Sequence, residues 1–472
     1  MTFSSAIFLF CFLPLAFLLY LLLPGIRAKN LFLTVLGLVF YAFGQWQGLP
    51  LLLLSAVINY AAGFFMTRPR LRRPVLVMTL TLDLLVLGCF KYLNFLIDTL
   101  NALLSLRIPR TDWLLPMGIS FFTFKAMAYV IDAYRDGSRA SRRFSDVLLY
   151  ISFFPQVASG PITRFDQFSA QLGLRPVDPE QIARGLRRFI VGFGKKALAA
   201  ALVSPIVDSA FSLGDGLDIR LAWLGAVAYT VQIYFDFSGY SDMAIGLGAV
   251  FGFTTPENFS YPYIAASITD FWRRWHISLS SWFKDYLYIP LGGNRRGRRR
   301  QAVNKALVFL LCGLWHGASW TFLLWGVWHG VFSALEICGA INTKRLGQSR
   351  PGRILSHGYT LVVVCLGFVI FRAADLGQVW SLVRALFTGF ALTPASTLAI
   401  QRIAPASWLA LLGGVVASVP VGPWLTARVR RLNTVPRQVV TAASFLCAAA
   451  LLVLCVMATA GSGFQPFIYV QF

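Results

Sequence analysis

Apolar stretches long enough to cross a membrane recur along the whole chain, and they restrict its fold more than any other feature. A bilayer core about 30 Å thick is crossed by about 20 mostly apolar residues in a helix. The first stretch lacks the basic start and the cleavage site of a signal peptide, so we count it as a membrane helix. The stretches of suitable length are 5–23, 30–47, 49–66, 75–97, 115–134, 197–213, 221–251, 306–324, 325–341, 355–373, 404–425 and 438–460. They predict an all-α polytopic membrane protein with a single membrane domain over residues 1–472.

The composition excludes most soluble classes of protein. Charged residues make up 13% of the chain and hydrophobic residues 57%, whereas a soluble domain carries about 25% charged residues. The 42 Lys and Arg against 19 Asp and Glu give a net charge of +23. A nucleic-acid-binding protein can be this basic but not this apolar, so we expect no nucleic-acid partner. The seven cysteines lack the spacing of a metal site or a disulfide framework, and we expect no metal.

The basic residues predict the orientation in the membrane. With the N-terminus outside, 34 of the 42 Lys and Arg fall in loops that face the cytoplasm. This orientation requires residues 147–161 to enter the membrane and return on the same side, which Pro155, Gly160 and Pro161 favour. Irregular backbone at that depth is tolerated only against protein or a water-filled cavity, so this element indicates an internal chamber.

The segment 252–305 is predicted to be cytoplasmic or interfacial. From Ile268 its aromatic residues recur every three or four positions, which predicts an amphipathic helix at the membrane interface that carries His276. We expect His276 to be a surface residue. Its basic neighbours are interpreted either as an anchor for anionic lipid headgroups or as a site for the phosphates of a cytosolic cofactor. The side chains considered for phosphate binding are Arg273, Arg274, Arg295 and Arg296.

Two apolar segments contain polar residues at a depth where such residues are costly and therefore indicate function. In the first, YFDFSGYSDMAIG, the side chains of Asp236, Tyr240 and Asp242 either fix helix packing or line a reaction chamber. In the second, CGLWHGASWTFLLWGVWHG, His316 lies about 16 Å beyond Lys305 at 1.5 Å per residue. That distance places His316 near the middle of the membrane.

His316 is the candidate general base. Gly313 and Gly317 beside it allow the close approach of a substrate or of another backbone, and burial keeps an imidazole neutral. The same block offers two further candidates for lining the chamber, Cys312 and Trp315. Two other histidines are interpreted as structural, His329 and His357.

The motifs around these residues resemble those of the membrane-bound O-acyltransferase family, in the bacterial branch that acetylates exopolysaccharides such as alginate. The matching pieces are PMGISFFTF, FFPQVASGPITR, YFDFSGYSDMAIG, FWRRWHISLSSWFKDYLYIPLGGNR, GLWHGASWTF and the terminal PFIY. They follow the order found in that branch and extend over nearly the whole chain.

The resemblance implies a fold of about eleven transmembrane helices, one fewer than our own count, with re-entrant elements around a central funnel. It implies catalytic roles for His316, the near-invariant histidine of the family, and for His276. Acetyl-CoA is the expected acyl donor, with no tightly bound cofactor, and a periplasmic partner protein is expected to pass the acetyl group to the polymer. The chain would lie in the bacterial inner membrane, with its N-terminus in the periplasm.

The acceptor stays open at this point. Alginate is the first candidate, but cellulose and other exopolysaccharides are acetylated by very similar subunits. A more distant relative transfers D-alanine from a carrier protein to teichoic acid, and a basic surface suits a carrier protein as well as CoA. From a different class, a lipid or solute transporter would use midplane polar residues as a binding site. The absence of repeat symmetry in the sequence speaks against a transporter.

Overall fold

Helices form the structure, a computed structural model that describes residues 2–431 and 437–461. Within these residues there are α-helices, short 3₁₀ and π segments, and no strand. The prediction of an all-α protein is therefore confirmed. The terminal PFIY motif, residues 466–469, lies outside the described residues.

The described residues form two compact units. The first unit contains residues 2–189 and 240–257, and the second contains residues 190–239, 258–431 and 437–461. Residues 1–472 as a single membrane domain stay a prediction.

The first eight α-helices all belong to the first unit. They are α1 (Leu13–Leu22), α2 (Gly25–Gln45), α3 (Leu49–Phe65), α4 (Arg72–Leu104), α5 (Ile119–Arg135), α6 (Phe144–Ser152), α7 (Phe154–Val157) and α8 (Phe165–Ser169). The later helices are α9 (Pro179–Gly194), α10 (Ala201–Ser212), α11 (Ile219–Val250), α12 (Ile268–Arg274), α13 (Ile277–Phe283), α14 (Gly297–His316), α15 (Trp320–Cys338), α16 (Thr343–Leu346), α17 (Arg350–Arg372), α18 (Leu376–Thr388), α19 (Pro394–Gln401), α20 (Pro405–Ala417), α21 (Val421–Arg431) and α22 (Arg437–Gly461). Helices α9 and α11 contribute residues to both units.

Six helical segments within the described residues are long and apolar enough to cross a membrane. They are Gly25–Phe65, Arg72–Leu104, Pro179–Ser212, Trp320–Cys338, Arg350–Arg372 and Thr441–Ala460. A seventh candidate is the pair α19 and α20, which is bent by 85° at a short break. A multi-pass membrane protein is thus confirmed, and the number of eleven or twelve crossings stays a prediction.

The predicted re-entrant segment is a pair of short helices in the first unit. Helices α6 and α7 meet at Phe153, whose backbone is not helical. Residues 153–157 are buried, and so are residues 159–163, where the backbone is irregular. Burial against protein is what irregular backbone needs at membrane depth. Re-entry into the bilayer itself stays a prediction.

Helices α14 and α15 form a tightly packed antiparallel hairpin in the second unit. Small residues make the close approach possible: a Cβ on Gly326 would lie 2.6 Å from the carbonyl oxygen of Phe309, and a Cβ on Gly313 would overlap the carbonyl oxygen of Phe322. The hairpin turns between His316 and Trp320, so the predicted boundary between residues 324 and 325 was wrong. Ser319 begins α15 by accepting a hydrogen bond from the backbone N–H of Thr321.

The segment after Ile268 is two helices, so the prediction of one amphipathic helix was wrong. The break falls at His276, which has a left-handed backbone with φ +43° and begins α13. The neighbouring segment from Asn258 explains the break. Its carbonyl at Asn258 accepts from the N–H of Ile277 at 2.9 Å, and the N–H of Ser260 donates to the carbonyl of Arg274 at 3.0 Å. These bonds hold the chain in a turn that aromatic periodicity does not reveal.

Candidate active site

His316 is the last residue of α14 and is buried, with 3% of its surface exposed. Gly317 follows with an extended backbone, and the chain then turns into α15. Aromatic rings surround the imidazole: the ring centroids of Trp315, Trp325 and Phe371 lie 5.0, 5.0 and 5.2 Å from it. Electrostatic interactions are strong in such an apolar cage, because water that would screen them is excluded.

The sulfur of Cys312 lies 3.9 Å from Nε2 of His316, one helical turn before it. The two side chains share one face of α14, as residues four apart in a helix do. Cys312 therefore lies against the candidate base, the neighbourhood in which it was predicted as a lining residue. Its role in lining a chamber stays a prediction.

The glycines beside His316 serve helix packing. Gly313 faces the carbonyl of Phe322 and the Cα of Gly326, and a Cβ on Gly317 would overlap the ring of Phe322. From the sequence, either a substrate or another backbone was expected in this space. The structure fills it with α15, and this packing holds His316 at the hairpin turn.

His276 is buried, with 1% of its surface exposed, so its prediction as a surface residue was wrong. Its Nδ1 lies 3.1 Å from Oδ1 of Asn258, and the ring of Phe237 packs edge-on at 4.7 Å. Burial lowers the pKa of His276 to about 3. The imidazole is therefore neutral at physiological pH, because burial removes the water that would stabilise its charge.

Trp315 contacts both candidate catalytic histidines. Its ring centroid lies 5.0 Å from that of His316 and 5.9 Å from that of His276. The three side chains all belong to the second unit. Two imidazoles beside one indole can exchange protons with a bound substrate, which is the chemistry of general acid–base catalysis.

Three basic side chains repel one another: Arg273 in α12, Lys284 directly after α13 and Lys305 in α14. Burial lowers the pKa of the Lys305 ammonium group, and the charges of Arg273 and Lys284 lower it further. Lys305 also lies 5.6 Å from the ring centroids of Tyr288 and Phe309. Like charges held close together favour the binding of a multiply charged anion, since that anion relieves their repulsion.

The other predicted phosphate ligands differ in their surroundings. Arg274 forms an ion pair with Asp270 at 3.0 Å and donates to the carbonyl of Ser260 at 3.3 Å, so it is partly engaged within the protein. Arg295 and Arg296 are exposed before the start of α14. Lys284 and Lys305 were not predicted from the sequence as phosphate ligands. Their spacing along the chain gives no sign that they act on each other.

The predicted lining residues of YFDFSGYSDMAIG are held by partners of their own. Asp236 in the second unit pairs with buried Lys196 at 2.6 Å. In the first unit, Asp242 accepts from Arg188 at 2.8 Å, and the ring of Tyr240 stacks on Phe3 at 5.0 Å. These contacts fix helix packing, which is one of the two readings of this motif. A role in lining a chamber stays a prediction for all three.

Two residues that support this site were missed. Asn258 contacts His276 directly, yet it lies in an irregular loop where nothing marks it. Glu336 accepts from the backbone N–H groups of Ile268 and Thr269 at 2.6 and 3.1 Å and so anchors the start of α12. Glu336 carried a visible signal: it is the only Asp, Glu, Lys or Arg in the apolar helix Trp320–Cys338.

The two histidines interpreted as structural have contacts of that kind. Nδ1 of His329 lies 3.4 Å from the indole N–H of Trp272, and His329 is buried. Nδ1 of His357 lies 3.0 Å from the carbonyl oxygen of Ala265. The first contact joins α15 to α12, and the second joins α17 to the loop before α12, both within the second unit.

Comparison with known proteins identifies similar chains. The model of the membrane-bound O-acyltransferase family matches residues 74–374. The probable alginate O-acetylase of Azotobacter vinelandii is 43% identical over 396 residues, which cover 82% of this chain and 78% of that protein. The peptidoglycan O-acetyltransferase of Helicobacter pylori is 36% identical over 409 residues, covering 79% and 77%. The teichoic acid D-alanyltransferase of Bacillus subtilis is 30% identical over 276 residues, covering 54% and 68%.

Proposed function

We propose, from the premise that the chain belongs to the membrane-bound O-acyltransferase family, that it transfers an acetyl group from acetyl-CoA toward the hydroxyl groups of an extracellular polysaccharide. The chain is a multi-pass membrane acyltransferase, and the proposal adds its donor, its acceptor and the roles of its histidines. The observation that carries the proposal is the contact of two buried imidazoles, His276 and His316, with one indole, Trp315. Family membership favours this reading over the transporter alternative.

His316 acts as the general base in this proposal. Its imidazole takes the proton of an acceptor hydroxyl while the hydroxyl oxygen attacks the carbonyl carbon of the thioester. The new C–O bond forms, the C–S bond breaks, and the proton passes from the imidazolium to the thiolate of CoA. The products are an acetyl ester and CoA with a free thiol. His276 positions the donor or shares the proton transfer, and the surrounding rings exclude water that would hydrolyse the thioester.

The basic side chains support a donor that carries phosphates. CoA is a large anion made in the cytosol, and the mutual repulsion of Arg273, Lys284 and Lys305 is relieved when its phosphates bind. Arg295 and Arg296 add exposed positive charge at the start of α14. Acetyl-CoA is thus a substrate, and no tightly bound cofactor is part of the proposal.

The relatives support an acetyl group and a polysaccharide acceptor. Alginate is the first candidate, because the probable alginate O-acetylase is 43% identical to this chain. Peptidoglycan is the second, because the relative named for it covers 79% of this chain. In both cases we place the chain in the inner membrane, with a periplasmic N-terminus and a periplasmic partner protein that passes the acetyl group to the polymer.

Transfer of radiolabelled acetyl from acetyl-CoA, in membranes that contain the full chain and its partner, tests the proposal. Alginate and peptidoglycan serve as separate acceptors. We expect His316→Ala to abolish transfer to the preferred polymer, while His357→Ala, a half-buried histidine bonded to a backbone carbonyl, retains it. Activity of His316→Ala would reject the base role. A wild-type chain that accepts no label from acetyl-CoA would reject the donor.

A further inference from the structure

We infer that Asn258 is a positioning residue that fixes the tautomer of His276, with the proton on Nδ1 and the basic lone pair on Nε2. The structural part of this inference stands on hydrogen bonds alone. Its catalytic consequence rests on the proposed function.

The first step identifies the Asn258 atom that faces the ring. Oδ1 of Asn258 lies 3.2 Å from the backbone nitrogen of Ser278 and 2.9 Å from the Ser278 hydroxyl oxygen. A backbone N–H can only donate, so the atom that it meets is an acceptor and is the oxygen of the amide. The orientation of the Asn258 side chain is therefore set by the backbone of α13.

The second step concerns the imidazole. Nδ1 of His276 lies 3.1 Å from the same oxygen, so Nδ1 carries a hydrogen and donates it. A neutral imidazole has one N–H, which leaves the lone pair on Nε2. The hydrogen bond that one ring nitrogen makes commonly determines which of the two nitrogens carries the proton and which one is basic.

The third step is the rigidity of this arrangement. Asn258 is completely buried, and its own carbonyl oxygen accepts from the N–H of Ile277 at 2.9 Å. The Asn258 backbone and side chain thus bind both residues that follow His276. Together these bonds hold the left-handed turn at His276, so that the ring and its acceptor are positioned by one segment.

The titratable groups near His276 have partners or positions of their own, and the contact that fixes its tautomer is made by Asn258. The ring packs against α11 through Phe237 and against α14 through Trp315. The ionisable residues near these contacts are Tyr234 and Asp236 on α11, the latter paired with Lys196, and Cys312 and His316 on α14. On the preceding helix the charged residues are Arg273 and Arg274, the latter paired with Asp270. The side-chain contact of Nδ1 at 3.1 Å is made with the uncharged amide oxygen of Asn258.

Nuclear magnetic resonance of histidine labelled with ¹⁵N tests the tautomer without reference to activity. The chain has four histidines, so the spectrum of the full protein in lipid is simple, and His276→Gln assigns the signal. We expect a protonated Nδ1 and an unprotonated Nε2 for His276 near neutral pH. Protonated Nε2, or a mixture of tautomers in the wild-type protein, would overturn the inference.

The pH profile of acetyl transfer tests the consequence. Asn258→Asp replaces the amide by a carboxylate of the same shape, which stabilises the imidazolium, so the acid limb of kcat/KM should move upward by about one pH unit or more. Asn258→Ala should lower kcat about 10- to 100-fold with KM within about twofold, since His276 stays in the site but loses the fixed tautomer with which it shares the proton transfer. The control is Asn342→Asp, at the exposed start of α16. We expect it to leave the rate and the profile unchanged.

The outcomes separate the two proposals. A wild-type chain that transfers no acetyl group contradicts the proposed function, while the tautomer measurement still decides the role of Asn258. An active wild-type chain whose Asn258→Asp variant is folded, active and unchanged in pH profile contradicts the positioning role. If Asn258→Ala does not fold, the wild-type spectrum and Asn258→Asp still decide.

Discussion

At the residue scale, His276 combines a candidate catalytic ring with a backbone conformation that favours glycine. Its φ of +43° lies in the left-handed region, which costs a residue with a Cβ about 1–2 kcal/mol. We therefore expect His276→Gly to have a free energy of unfolding about 1 kcal/mol higher than His276→Ala, while neither variant transfers acetyl groups. Denaturant titration of both variants in the same detergent measures the difference.

The same two substitutions at His357 provide the control. His357 lies inside α17, where glycine is the poorer residue by about 1 kcal/mol, so the order of the two variants should reverse. If alanine is the more stable choice at both positions, the left-handed turn at His276 is contradicted.

The burial of His276 also predicts a pH dependence of stability. Burial lowers its pKa in the folded protein to about 3, whereas an unfolded histidine has a pKa of about 6.5. Below pH 6.5 the unfolded state therefore binds a proton that the folded state does not. The free energy of unfolding should fall as the pH decreases toward 3, by up to about 1.4 kcal/mol per pH unit from this residue.

The comparison with His276→Gln isolates this contribution. Other buried histidines remain in both proteins, so the difference between the two slopes below pH 6.5 belongs to residue 276. Denaturant titrations at half-unit pH steps measure both slopes. Equal slopes would show that His276 can be protonated in the folded protein and is not desolvated as described.

At the element scale, the α14–α15 hairpin depends on glycines at its contact. A methyl group on Gly326 would lie 2.6 Å from the carbonyl oxygen of Phe309, so the helices must move apart. We expect Gly326→Ala to lower the free energy of unfolding by about 1–3 kcal/mol, the usual cost of overpacking, and to reduce acetyl transfer by displacing His316. Gly358→Ala on α17 is the matched control, since a Cβ there meets no atom within 4 Å. A loss of stability at both glycines would contradict this account of the hairpin.

The sequence predicted where long helices occur better than the residues at which they begin and end. Apolar length located most long helices, because hydrophobicity is a property of the local composition. The turn after His316 lies inside a continuous apolar run, GLWHGASWTFLLW, and only the cap at Ser319 marks it. The break at His276 is set by bonds from Asn258, a residue 18 positions earlier. Such a tertiary interaction leaves no trace in the periodicity of the segment that it bends.

At the scale of the whole molecule, the motifs identified the two histidines but not their environment. Depth in an apolar run was sufficient to single out His316. The arginines next to His276 in the sequence suggested a surface position, because a residue with charged neighbours is usually exposed to solvent. Instead, Phe237 and Trp315 from distant parts of the chain cover its ring. Burial by residues far apart in sequence could not be read from the sequence alone.

The distribution of basic residues predicts which side of the membrane each loop faces. Since 34 of 42 Lys and Arg fall on one side in the orientation with the N-terminus outside, the basic run before α14 should be cytoplasmic and the loop after α10 periplasmic. In a background without the native cysteines, we expect Arg296→Cys to react with a membrane-impermeant maleimide only in inverted vesicles. Asp215→Cys should react only in spheroplasts, and both positions are exposed.

The two sites serve as controls for each other, because the same reagent must reach one and miss the other in each preparation. Labelling of both in spheroplasts would contradict an odd number of crossings between them. Reversal of the pattern would place the basic side chains outside. Acetyl-CoA made in the cytosol would then face the wrong end of α14, and the donor proposed for this chain would have no route to the cations that bind it.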